Sequence, residues 1–272
     1  MNDVSLKAKI RNISKDKNIS AQAVLQNYLM NRFLYRLSKT EYREKFVIKG
    51  GMLIASMVGI ENRSTMDLDA TLRNLPLTED AIIEAFNTIC SVYSDDGILY
   101  KFSAIEPIRD DDEYGGYRVT FYAAFGKINA PMSMDVSTGD IITPGAERFS
   151  FSDMFDQNVN FELWAYPVET VLAEKVETIL SRGIDNTRPR DFYDVYMLSL
   201  KHYDKKVFRE AFKATAVHRE SIGKIDDYED IIENILQSKD MNRRWDGYVR
   251  QMPYAAGISF TATLDVIKEL LE

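Results

Sequence analysis

The stretch MDLDATL, residues 66–72, decides how the rest of the chain is read. It alternates in the strand manner, and in a strand side chains two apart share a face. Asp67 and Asp69 therefore converge on one side, while Leu68 faces the core. Two neighbouring carboxylates repel unless a cation sits between them. Mg²⁺ is the natural choice, because it takes oxygen ligands and is commonly held by one or two carboxylates plus substrate phosphates. Upstream, FVIKGG (46–51) leads into the helical segment MLIASMVGI (52–60), so Lys49-Gly50-Gly51 opens a helix. Glycines there would let the backbone approach a phosphate, with the helix N-terminus facing it; the bland alternative is a plain strand-to-helix turn. Downstream, APMSMDVST (130–138) reads as a strand with Asp135 on one face and Met134 and Val136 on the other. If the two strands pair, Asp135 joins the acids. Three carboxylates around one or two metals is the arrangement of a phosphoryl- or nucleotidyl-transfer centre, where one metal lowers the pKa of an attacking hydroxyl and the other offsets charge on the leaving pyrophosphate.

Around this stretch the remaining pattern is mixed and then helical. Ser20 is placed to cap AQAVLQNYLMNRFLYRL (21–37), in which Leu25, Tyr28, Leu29, Phe33 and Leu37 recur at helical spacing. Thr78 is placed to cap 79–92. Strand-like runs follow at 98–108 and 117–125, and the acids Asp110-Asp111-Asp112-Glu113 between them read as a solvated hairpin turn. From about residue 160 the pattern turns helical: Pro167 suits a first helical turn, and 168–182 runs to Gly183, a good C′ residue. DFYDVYMLSLK, VFREAFKATAVH, YEDIIENILQ and a last segment near 260–271 follow. The expected boundary lies near 160–166, without a flexible linker.

Composition excludes several classes. At 272 residues the chain needs no staples, since a chain of this size buries roughly 70–75 % of its surface. One cysteine, Cys90, excludes a disulfide framework or a multi-cysteine metal site. Two histidines, neither in an HExxH spacing, leave little for a His-rich centre. There is no GxxxxGK[ST], no GxGxxG after a strand and no GxSxG elbow. The first twenty residues lack the apolar core of a signal peptide, and the longest apolar run, 50–60, is far short of the ~20 residues a membrane span needs. The expectation is a cytoplasmic protein without membrane contact.

The net charge of −8 argues against indiscriminate nucleic-acid coating, but its distribution is uneven. Residues 1–45 carry ten Lys/Arg against four Asp/Glu, and residues 201–219 six against two. Between them, residues 46–200 carry twelve against twenty-five. Either the basic stretches are solvated helix faces, or an acidic metal centre is framed by surfaces for a polyanion. On the second reading Lys39, Arg43 and Lys45 lie on one side, and Lys201, Lys205, Lys206, Arg209 and Lys213 on the other.

The ordered series KGGMLI, NRSTMDLDATL, MDVSTGDIITP, YPVETVLAEKVETIL and TRPRDFYDVYML resembles the AbiEii/AbiGii toxin family of nucleotidyltransferases, within the DNA-polymerase-β-like superfamily. The resemblance implies an α+β protein. A nucleotidyltransferase domain with a mixed sheet and N-terminal helices would occupy 1–162, and an all-helical domain completing the active site would occupy 163–272. It implies a toxin of a bacterial toxin–antitoxin or phage-defence pair with a cognate antitoxin, NTP and Mg²⁺ as reactants, and an RNA acceptor such as the 3′ end of tRNA. It assigns Asp67, Asp69 and Asp135 as metal-binding acids, and Gly50-Gly51 as the glycine pair whose second position is often serine. It assigns Lys175 as a charge on the triphosphate and Asp191 as the last active-site acid, with Asp194 the alternative. Lys49 would join the nucleotide site, and Ser64 or Thr65 would supply the hydroxyl that Gly51 lacks. Taken alone, Lys175 would read as a solvated lysine and Asp191 as a helix N-cap after Pro189. A DxD glycosyltransferase would need a Rossmann-like βαβ series before the acids, for which there are too few residues. A catalytically inactive family member binding RNA or a partner is the other reading.

Overall fold

A computed structural model describes residues 3–108, 115–156 and 158–272. The acid run Asp110–Glu113 lies outside the described residues. The chain divides into two compact units, one of Met1–Asp140 with Glu147–Ala165 and one of Ile141–Ala146 with Tyr166–Glu272. No described helix is long and apolar enough to cross a membrane.

The first unit begins with α1 (Asp3–Lys17) and α2 (Ala21–Leu37), continues through β1 (Phe46–Lys49), α3 (Gly50–Val58), β2 (Leu68–Leu72) and α4 (Glu79–Ser91), and adds β3 (Leu99–Ile108), β4 (Gly116–Phe125), β5 (Ile128–Ser137), β6 (Glu147–Ser152) and β7 (Asn160–Ala165). The seven strands form one mixed sheet in the order β3-β4-β5-β2-β1-β7-β6. β1 is antiparallel to β2 and parallel to β7, and β2 is parallel to β5. The Ser20 hydroxyl caps α2 by accepting from the Ala23 N–H. The buried residues of α2 run around the whole helix and include Gln26, Asn27, Arg32 and Arg36. Phe33 packs on Phe86, Tyr100 and Phe121. Arg36 forks onto Asp96, and Arg32 bridges Asp96 to Asp153. These four charges are almost wholly shielded from solvent, so each cation needs its carboxylate.

Two strands were not expected. β7 alternates buried Phe161, Leu163 and Ala165 with more accessible residues, and β6 pairs with it at the sheet edge. The helical pattern therefore starts at residue 168, past β7. β2 also starts one residue after Asp67, which sits exposed on the strand's shoulder while Leu68 is fully buried.

The second unit is helical: α5 (Val168–Arg182), α6 (Pro189–Ser199), α7 (Lys205–His218), α8 (Ile222–Ile225), α9 (Tyr228–Gln237), α10 (Lys239–Gln251) and α11 (Phe260–Leu271). Phe192, Trp245 and Phe260 form its aromatic centre.

Candidate active site

Strand register assembles the acids of the first unit. Lys49 on β1 faces Asp69 on β2, Asp69 faces Asp135 on β5, and Asp135 faces Arg118 on β4. Register partners project from the same side of a sheet, so four charges form a row across four strands in the order plus, minus, minus, plus. Asp67, two residues before Asp69, belongs to the same side. The opposite face is apolar, with Leu68, Ala70, Met134 and Val136 all buried.

Each member of the row has a defined partner. The Arg118 guanidinium donates through Nε and NH2 to both oxygens of Asp135, each at 2.7 Å. These hydrogen bonds, then the nearby Asp67 and Asp69, raise the Arg118 pKa further above its ordinary value. Asp67 accepts from the Ser133 hydroxyl at 3.0 Å. Asp69 accepts a long bond from the Gly51 N–H at 3.4 Å. Burial pushes the Asp69 carboxyl above the usual range, opposed by Lys49 and reinforced by Asp135 and Asp67. Lys49 binds Asp140 at 2.5 Å and the Ser137 hydroxyl at 2.9 Å.

The glycine pair has a steric cause. Gly50 has φ +65°, and a Cβ on it would lie 2.0 Å from Oδ2 of Asp69. A Cβ on Gly51 would lie 2.4 Å from Oγ1 of Thr65. The start of α3 thus rests directly on Asp69 and Thr65, so no side chain fits at either position. Thr65 is buried and holds its hydroxyl beside Gly51, where a serine side chain would begin; Ser64 is half-buried and its carbonyl accepts from Arg63. The loop feeding β2 is anchored by α2. Asn27 donates to the Thr65 carbonyl at 2.9 Å, and Gln26 to the carbonyls of Met66 and Pro131 at 3.4 and 3.2 Å.

In the second unit Lys175, on α5, pairs with Asp191 at 2.7 Å and Asp194 at 2.9 Å, both on α6. Burial works against the ammonium, but the two carboxylates outweigh it and raise its pKa. The reading of Lys175 as a solvated lysine is therefore corrected. So is the reading of Asp191 as an N-cap: Pro189 opens α6, Arg188 is its cap position, and Asp191 lies in the first turn. Asp194 is fully buried, so both acids share the lysine.

Of the residues singled out from the sequence, the first unit brings together Asp67, Asp69, Asp135, Lys49, Gly50, Gly51 and Thr65, and the second brings together Lys175 and Asp191. The sequence did not single out Arg118, Ser133, Asp140, Gln26 or Asn27. The signal available was the polar pair Gln26-Asn27 inside an otherwise apolar helix, and Arg118 beside buried Val119 on a strand. Burial pushes the Cys90 thiol up to about 11.

The donor set suits a hard divalent cation. Asp67 and Asp69 offer carboxylate oxygens on one face, and among the described residues nothing hydrogen-bonds the second oxygen of either. Asp135 offers oxygens too, but both are engaged by Arg118. Among the described residues no three His, Cys, Asp or Glu side chains already form a metal-holding group.

The first unit is thus a mixed sheet carrying adjacent acids behind a glycine-opened helix. A Helicobacter pylori protein described as a candidate nucleotidyltransferase has the same fold, with a TM-score of 0.50 and 17% identity over 93% of this chain and 99% of that one. JHP933 from Helicobacter pylori (TM-score 0.49, 16% identity, 93% and 94% coverage) and an antigenic nucleotidyltransferase-like protein from Paracoccidioides brasiliensis (0.42, 13%, 89% and 93%) are also similar. Residues 32–266 match the family described as "Nucleotidyl transferase AbiEii toxin, Type IV TA system". The chain belongs to this AbiEii family, as the order of its motifs implied. Among curated proteins none matches it in sequence.

Proposed function

We propose that this chain transfers a nucleoside monophosphate from an NTP to a hydroxyl of RNA, such as the 3′ end of tRNA, with Mg²⁺, and that a cognate antitoxin opposes it. The observation that carries this reading is the register-matched Asp69–Asp135 pair, with Asp67 beside it and α3 opening against Asp69. Asp67 and Asp69 would hold the cation, joined by Asp135. Bound there, the cation would lower the pKa of the attacking hydroxyl and offset charge on the departing pyrophosphate. In the transfer the acceptor hydroxyl gives its proton to solvent, its oxygen bonds to the α-phosphorus, and the bond from that phosphorus to the bridging oxygen of the β-phosphate breaks, the electron pair leaving with pyrophosphate. Ser133 fixes Asp67, and Gln26 and Asn27 fix the loop that delivers it. Thr65 is the candidate hydroxyl for a phosphate oxygen, and Lys49 the neighbouring charge. Lys175, with Asp191 and Asp194, is proposed to serve the same reaction as a charge on the triphosphate.

An RNA acceptor is supported by the cations left on the surface. Arg32 and Arg36 are consumed in the core. Lys39 and Arg43, however, line a cavity of about 540 Å³ with Arg148, and Lys205, Arg209 and Lys213 are all exposed on α7. The test is incubation with each labelled NTP and total RNA in Mg²⁺. Label should pass to RNA, and Asp67→Ala or Asp69→Ala should abolish transfer in a folded protein. Removing one of two like charges should leave stability equal or higher. Wild-type rates in either variant would overturn the metal reading, and labelling of protein without RNA would overturn the acceptor.

A further inference from the structure

The charge row explains how the acids stand beside one another before any ligand arrives. Asp69 and Asp135 are neighbours, and each has a protein cation on its outer side. The two cations behave differently. Lys49 reaches past Asp69 to Asp140 and Ser137. Arg118 turns onto Asp135 and takes both of its oxygens in a planar fork, the strongest geometry available to a guanidinium and a carboxylate. A carboxylate held this way shares both oxygens with the guanidinium, so another cation must compete with a fixed positive charge for them. The Arg118 side chain is also 56% exposed, against 26% for Asp135. Its strand is fixed by pairing on both sides, through β3 and β5, so only the side chain is at liberty to move.

We propose that Arg118 is a built-in counter-ion that keeps Asp135 from the divalent cation until nucleotide arrives. Loading then exchanges one cation for another, the guanidinium leaving Asp135 for a phosphate of the NTP. This rests on the metal reading of Asp67, Asp69 and Asp135 above. The chemistry favours the exchange, because a guanidinium fork fits phosphate oxygens as well as it fits a carboxylate. Mg²⁺ sites in phosphoryl transfer are completed by the substrate's own phosphates. The consequence is an ordered site: weak for metal alone, tighter for metal with nucleotide.

The test titrates the full chain with Mn²⁺ in the absence of nucleotide, following free Mn²⁺ by electron paramagnetic resonance. Arg118→Met keeps an apolar stem of similar length and removes the fork. It should bind Mn²⁺ about fivefold more tightly than wild type, the size of one exposed ion pair, and Arg118→Lys should fall between. In the same variants KM for NTP should move the opposite way, upward, which a merely structural role would not produce. Unchanged or weaker Mn²⁺ binding in Arg118→Met would overturn the counter-ion proposal. Asp67→Asn and Asp69→Asn distinguish the underlying reading. If they weaken Mn²⁺ binding while Arg118→Met does not alter it, the metal site stands and the counter-ion falls. If they leave Mn²⁺ binding untouched, the metal reading itself falls.

Discussion

Single side chains show how far local sequence reaches. Asp69 and Asp135 were legible because each alternates with buried apolar neighbours on its strand, whereas Asp67 lies just before β2 and is held to that side by the Ser133 hydroxyl. Lys175 was legible only through its motif, and its surroundings alter what its loss should do. Asp194 is fully buried and leans on the same ammonium as Asp191. Lys175→Ala would leave two shielded carboxylates facing each other, and breaking a buried pair in this way costs about 3–5 kcal/mol. Urea denaturation should therefore show a large loss for Lys175→Ala. Asp191→Asn should show a small one, since Asp194 still answers the lysine. Equal midpoints for wild type and Lys175→Ala would show that the buried pair carries no stability. Arg118, Ser133 and Asp140 were not legible, because their partners lie on other strands and only register brings them together.

Elements bring in constraints that no single residue announces. The start of α3 sits on Thr65 so closely that Gly51→Ser must displace it. Overpacking of this kind costs about 1–3 kcal/mol, and the double change Gly51→Ser with Thr65→Ala should recover most of it in thermal melts. Failure of the second change to help would mean that the clash is relieved elsewhere. At the other side of the sheet, the turn Glu41–Glu44 is bound to β6 and β7. Glu44 accepts from Arg148 and from the Trp164 indole, and the Arg73 and Arg148 guanidiniums lie 3.9 and 4.3 Å from the Trp164 ring centre. The bonds from Arg148 and then Trp164 hold the Glu44 carboxyl down at about 2. A depressed carboxyl adds stability above its ordinary pKa of 4.5, and that contribution disappears as pH falls toward 2. Wild type should therefore exceed Glu44→Gln in melting temperature at pH 6, with the gap closing between pH 4.5 and 2. A gap independent of pH would assign the effect to packing. β6 and β7 escaped the sequence although β7 alternates, because the pair lies directly before the long helical region that begins at Val168 and reads with it.

Across the whole molecule, charge separates along the chain as its sequence shows, but burial sorts the cations. Those at the end of α2 serve the core, whereas the row on α7 reaches water. Positions 205, 209 and 213 are each four apart and share a face. If about four phosphate contacts form, RNA affinity should fall with salt at a log–log slope of roughly −3 to −4. Reversing charge at Lys205, Arg209 and Lys213 together should flatten that slope and raise KM for RNA, with little change for NTP. An unchanged salt response would mean that this face is only solvated.

The row of four charges draws on β1, β2, β4 and β5, from Lys49 to Asp135, and none of those strands holds more than one member. A ribosome must therefore deliver about half of the polypeptide before the last acid can take its place. Until β5 closes against β2, the emerging chain holds Asp67 and Asp69 without Asp135 or the fork that guards it. In a member of a toxin family, any fragment that ends before β5 therefore lacks both the register partner of Asp69 and the fork on it.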